Sequence, residues 1–247
     1  MGLIDKYKEF KRKRLEKAII RNQKLIQNPK AIKEDRAAAI DFFKTHENPD
    51  QSVPALLSRF DYSLEHGIND TREKESAMEG ILSFKDASLK PIVEHLQVST
   101  KIAWPIKAFQ AVANQEEVIN ALESCLNYGD ISFDQGTVDK NFDILCYLRD
   151  YSIPDELSAK IFHFLDDHDE RVRFAAVELL LEQKEPNIPL KLEKFLLDES
   201  AENTRIRQSV LTGFAKNAWK VNKKDFKQGA ITNGFAVNKK FIVVSTD

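Results

Sequence analysis

His163 and His168 stand beside Asp166, Asp167 and Asp169, the one concentration of imidazole and carboxylate in this 247-residue chain. Such side chains bind divalent metals or exchange protons in general acid–base catalysis. Their spacing argues against both roles. Five residues apart, the two histidines do not share a helical face, and the acids fall in a stretch that reads as a turn between helices. Cys125 and Cys146 are the only thiols. Neither has a zinc-ligand spacing, and each sits among apolar residues, as small buried side chains do. No glycine-rich phosphate loop, GxSxG elbow or HExxH occurs. Pairs such as Glu116-Glu117 read as solvated helix faces. These patterns yield no catalytic residue, metal ligand or cofactor-binding motif, so the expectation is a protein that is not an enzyme.

The remaining chemistry is electrostatic. Lys11, Arg12, Lys13 and Arg14 form a basic run suited to phosphate, an anionic surface or an acidic partner. Residues 1–30 hold ten Lys/Arg against three acids, and residues 213–247 hold seven lysines against two acids. The net charge of −2 therefore hides two basic ends and a body, residues 31–212, that carries −14. Only Tyr7 and Phe10 interleave the basic run, which is thin support for base stacking.

Helices must position these groups. Eight glycines and eight prolines are few for the length, which disfavours a β-sandwich with its frequent turns. Residues 3–26 read as one long amphipathic helix, with Leu3, Ile4, Tyr7, Leu15, Ala18, Ile19, Asn22, Leu25 and Ile26 near one face. Further on, Asp169, Val172-Arg173, Ala176 and Leu180 reappear 34 residues later as Asn203, Ile206-Arg207, Val210 and Phe214. Arg36, Ala38-Ala39 and Phe42-Phe43 keep that spacing, as do Glu75, Ala77-Met78 and Ile81-Leu82 with the arginine lost. Two more helices, Ile102 to Ala113 and Val138 to Leu148, fall near the expected places but match poorly in detail. A second apolar-periodic segment follows most of them: Val53 to Phe60, Leu89 to Leu96, Glu117 to Leu126, Glu156 to Leu165 and Leu190 to Leu197. Asp155, Asn187 and Asp70-Thr71 stand where helix caps are needed.

A lone helical hairpin cannot cover its own apolar stripe, so pairs of this kind stack and share a core. The segment Leu165-Asp166-Asp167-His168-Asp169-Glu170-Arg171-Val172-Arg173-Phe174-Ala175-Ala176 resembles the short HEAT repeat, including the phycobilisome-lyase-like variety. The resemblance implies an α-α superhelix, a HEAT-like solenoid. It also implies a ladder of hydrogen bonds and ion pairs in which Asp169 and Arg173 take part, and more weakly Arg207 and Arg36. The spacing of 34 is shorter than the usual HEAT length of roughly 40.

The expected architecture is all-α over residues 1–222, with a linker and a short β-hairpin over 223–247. Gly234 to Val244 supplies the hairpin, its β-branched and aromatic residues flanking a polar turn. No apolar stretch is long enough to span a bilayer and the N-terminus is charged almost at once, so a cytoplasmic location is expected. The leading functional expectation is a scaffold that binds another protein. The second is nucleic-acid binding, through the basic ends or through a groove like that of helical-repeat DNA glycosylases. Such an enzyme needs an aromatic such as Trp104 or Trp219 beside a catalytic carboxylate, and the acidic body opposes duplex binding.

Overall fold

The computed structural model describes residues 3–129, 134–232 and 234–246. The chain divides into two compact units, Met1–Ser124 and Cys125–Asp247. Mostly helical, it ends in a small antiparallel sheet, and among the described residues no helix is long and apolar enough to cross a membrane.

The first unit contains α1 (Leu3–Ile26), α2 (Lys33–Thr45), α3 (Pro49–Leu57), α4 (Gly67–Ser83), α5 (Leu89–Val98), α6 (Ala103–Gln110) and α7 (Gln115–Cys125, whose last residue belongs to the second unit). The helical period dictates which face goes inside. On α2, Arg36, Ala39, Ile40 and Phe43 are buried at three- and four-residue steps. That stripe faces α1 on one side and α4 on the other, while α4 continues to α6; α3 packs on α4 and α5. α1, α2, α4 and α6 thus contact one another in turn as one row, with α3 packed on α2 and α4, and α5 on α6. Gly80 lets α4 lie close to its neighbours: a Cβ there would stand 2.7 Å from Lys44 Cγ and 2.8 Å from Leu56 Cδ1.

The second unit contains α8 (Gln135–Leu148), α9 (Asp155–Ile161), α10 (Glu170–Leu181), α11 (Ile188–Leu192) and α12 (Thr204–Lys216). Here α10 packs against both α8 and α12, so these three also make a row. Val172, Ala175, Ala176, Leu179 and Leu180 of α10 are all 4% exposed or less, as are Ile206, Val210 and Phe214 of α12. The second helices are shorter than their apolar spans suggest. α3, α9 and α11 each give way to 3₁₀ turns, at Ser58–Asp61, Phe162–Asp166 and Glu193–Leu196. That tighter winding satisfies end carbonyls without lengthening the helix.

The C-terminal strands are β1 (Gly229–Thr232), β2 (Phe235–Val237) and β3 (Val243–Ser245), in the order β1-β2-β3. The expected hairpin corresponds to β2 and β3, with Phe235 opposite Ser245 and Val237 opposite Val243. The sheet has a third strand that the hairpin expectation lacks. β1 pairs antiparallel with β2, its register slipping between Ala230 and Thr232. Val237 and Val243 are buried, and β3 packs on α12. At the hairpin turn Asn238 Oδ1 accepts from the Lys240 and Ile242 amides.

Candidate functional site

The residues singled out by the repeat have identifiable structural partners. Asp169 is the N-cap of α10 and its carboxylate accepts from the Arg171 amide at 2.8 Å. The Arg171 guanidinium returns to the same carboxylate at 2.7 Å and reaches Asp139 on α8 at 2.9 Å. These bonds, those of the Arg171 side chain foremost, hold the Asp169 carboxyl below its usual value. Arg173 points the other way. Nη1 donates to the carbonyls of Asp167 and His168 at 2.8 and 3.0 Å, while Nε and Nη2 donate to Asn203 Oδ1 at 3.3 and 3.1 Å. The carboxylate of Asp169 is engaged by Arg171, and the guanidinium of Arg173 by Asn203, the residue before α12. Arg207 donates to the Leu196 carbonyl at 3.0 Å and lies 3.7 Å from Glu199.

Arg36 repeats the Arg173 pattern in the first unit. Its Nη1 donates to the Pro29 and Ala31 carbonyls of its own turn, and Nε and Nη2 form a fork on Glu73 of α4 at 2.9–3.2 Å. Glu73 also accepts from Arg59 Nε at 2.8 Å; Arg59 Nη2 donates to Asp70 at 2.8 Å, and Lys74 donates to Asp70 at 2.7 Å. Arg59 is 0% exposed and its guanidinium lies 4.4 Å from the centre of the Tyr62 ring. Three cations therefore share two carboxylates in a buried site, and each carboxylate accepts two or more charge-assisted bonds. Burial tends to raise the Asp70 carboxyl, but Lys74, Arg59 and the Leu64 amide outweigh it and hold the group below its usual value. Asp70 is consequently no cap: α4 starts at Gly67, and Asp70 lies one turn inside.

His163 sits edge-on to Tyr128 and Phe164, and the His168 carbonyl serves Arg173. Among the described residues no group of three His, Cys, Asp or Glu side chains could hold a metal ion. Cys125 is buried, and burial pushes the half-buried Cys146 thiol up, away from the thiolate. Trp104 stacks on Phe60 with Lys107 over its ring. Trp219 lies edge-on to Phe214 at 5.2 Å. Its amide donates to the Phe214 carbonyl and that of Ala218 to Ala215, which makes Trp219 the hydrophobic end of a Schellman motif closing α12.

In the basic run, Lys13 pairs with Glu9 at 2.8 Å, Arg12 with Glu16 at 3.5 Å, and Lys11 lies over the Tyr7 ring at 4.9 Å. Residues 4–8 and 10–17 are exposed, Arg14 included.

An apolar groove lies elsewhere in the first unit, among the segments 89–96, 102–113 and 117–126. A groove of about 540 Å³ runs between α5 and α7 over α6. Leu89 and Val93, one turn apart on α5, form one wall, Phe109 the floor, and Ala121 the other wall. Lys90 and Glu94 edge it from α5, Glu117 and Asn120 from α7. One sequence signal exists. α5 carries Leu89, Ile92, Val93 and Leu96, a stripe wider than one contact requires, of which Ile92 and Leu96 are buried and Leu89 and Val93 only half-buried. Compared with known protein families, with curated proteins and with solved structures, the chain matches none of them.

Proposed function

We propose that this chain is a non-enzymatic protein-interaction scaffold in which helical pairs stack as a HEAT-like solenoid, and that the α5–α6–α7 groove receives the apolar face of a partner helix. The groove is the observation that carries the reading. Its half-buried Leu89 and Val93 offer apolar area at a helical spacing, which suits an amphipathic helix docking through residues three and four apart. Glu94 and Glu117 on its edges favour a partner whose flanks are basic. The packed rows of first helices support the solenoid, because each helix has an apolar stripe that only a neighbour covers.

Nucleic-acid binding through a groove fits less well. A phosphate-tracking channel needs cations along its length, whereas this groove has two carboxylates and one lysine on its edges. Trp104 meets a phenylalanine ring and a lysine, and Trp219 completes a helix end. Neither described contact is the aromatic–carboxylate pair that a glycosylase requires.

The test is a photo-crosslinking amino acid at position 93, with position 98, exposed outside the groove, as control. The expected result is crosslinking from 93 and not from 98, into one segment with apolar residues at helical spacing. Equal crosslinking from both positions, or a turnover that disappears when Val93 is changed, overturns the reading.

A further inference from the structure

The N-terminal half of α1 has no counterpart in a helix that only caps a stack. Residues 18–26 seat the helix, with Ile19 and Ile26 buried, whereas residues 4–17 stand almost wholly in solvent. At 1.5 Å per residue this exposed length is about 21 Å. It keeps large apolar side chains at the surface: Ile4 is 71% exposed, Phe10 63%, Tyr7 59% and Leu15 44%. At about 100° per residue, Ile4, Tyr7 and Leu15 continue the line of Ile19, Asn22 and Ile26, so the stripe that packs further down runs on with its side chains exposed.

The charges are sorted around this stripe. The same rotation puts Asp5, Glu9 and Glu16 within about 40° of one another. Glu9 is taken by Lys13 and Glu16 by Arg12. Lys6, Lys8, Lys11, Arg14 and Lys17 occupy the rest of the circumference, interleaved with Ile4, Tyr7, Phe10 and Leu15. One side of the helix is therefore acidic and matched, and the remainder is cationic with apolar side chains set into it.

We infer that residues 4–17 of α1 lie on an anionic membrane surface, with Ile4, Tyr7, Phe10 and Leu15 entering the headgroup boundary and Lys6, Lys11, Arg14 and Lys17 meeting lipid phosphates. A bilayer interface takes both kinds of side chain at once. A nucleic-acid backbone would satisfy the cations and leave the four apolar groups in water or against phosphate. The attraction is peripheral, since the helix is too charged to span.

The experiment is co-sedimentation of the full chain with vesicles of phosphatidylcholine alone or with about one-third phosphatidylglycerol. Binding is expected to the anionic vesicles only, falling steeply as salt rises from about 0.05 to 0.5 M. Each neutralisation to Gln among Lys6, Lys11, Arg14 and Lys17 should weaken it by about fivefold. The double variant Tyr7→Ala/Phe10→Ala should weaken it by about tenfold or more, with an unchanged circular dichroism spectrum. These side chains are exposed, so their loss leaves folding intact. No sedimentation with anionic vesicles at low salt overturns the inference. So does sedimentation indifferent to the double variant, or an α1-dependent duplex gel shift as strong as the vesicle binding. An α1-dependent dimer in sedimentation velocity, in place of vesicle binding, also overturns it.

Discussion

Arg173 of α10 donates from Nε and Nη2 to Oδ1 of Asn203, the residue that stands 34 positions after the helix-capping Asp169. The same guanidinium holds two carbonyls of its own turn through Nη1. Arg36 does both things in the first unit, reaching Glu73 instead. On α2 and on α10, one arginine thus ties its own turn to the element that follows. A planar fork with five donors can serve both, and a lysine cannot.

Arg173→Ala should lower unfolding stability by about 1–3 kcal/mol, because the half-buried Asp167 carbonyl and Asn203 side chain lose their donor. Asn203→Asp should not help, although the repeat has Asp at the corresponding position. Asn203 Nδ2 donates to Asp198, and a carboxylate there would face Asp198 instead. Chemical unfolding should show Asn203→Asp destabilised at neutral pH, with the deficit shrinking as the medium is acidified. A more stable Asn203→Asp protein at pH 7 contradicts the assignment of that bond.

Glu73 joins Arg36 and Arg59 in a site where all three side chains are 6% exposed or less. Glu73→Gln leaves two buried guanidinium groups facing a neutral amide, at a cost of about 3–5 kcal/mol. Urea unfolding of Glu73→Gln and of Glu73→Gln/Arg36→Met measures it. The double variant should lose less than the sum of its parts, since Met removes the stranded charge.

Two aspartates give opposite pH signatures. Asp70 lies below its usual value of 3.8 in the folded chain. The unfolded chain then binds the proton first, so this group's stabilisation is complete above that value and is lost as pH falls toward the folded one. Asp143 lies above 3.8, through burial and the neighbouring Asp139. As an anion it opposes folding, and protonation relieves the penalty. Asp143→Asn should therefore raise the melting temperature at pH 7 and give no gain well below pH 4, whereas Asp70→Asn should destabilise at pH 7 and flatten the acid limb of stability against pH.

Ala218 closes α12 at a φ of 52°, in the left-handed position of the Schellman motif. A Cβ costs about 1 kcal/mol there, which glycine avoids. Ala218→Gly should raise stability by up to about 1 kcal/mol, measured by thermal unfolding, while keeping the Trp219 fluorescence of the native protein. A loss of stability would place the strain elsewhere.

The sequence and the structure agree where period and cap coincide. α10 was legible because Asp169 caps it and Val172, Ala176 and Leu180 recur at helical spacing. α1 was legible from its length and stripe. The buried network was not, because Arg59, Asp70 and Lys74 look like surface charges in one dimension, and Asp70-Thr71 imitates a cap. The start of α4 at Gly67, with His66 making no side-chain cap bond, carries no composition signal. β1 was missed for a related reason: Gly229-Ala230-Ile231-Thr232 begins with two small residues, so its alternation is faint and pairing with β2 decides it. The groove depends on side chains from three helices, and only the surplus apolar width of α5 hinted at it.

Docking of a partner helix in the α5–α6–α7 groove has a direct energetic readout. Isothermal titration of the segment crosslinked from position 93, as a synthetic peptide, tests it against the wild-type chain, Val93→Asp and Val98→Asp. A carboxylate at 93 would be desolvated on docking, so Val93→Asp should weaken binding by at least about tenfold while Val98→Asp leaves it unchanged. Equal affinity for all three proteins would rule out docking in this groove.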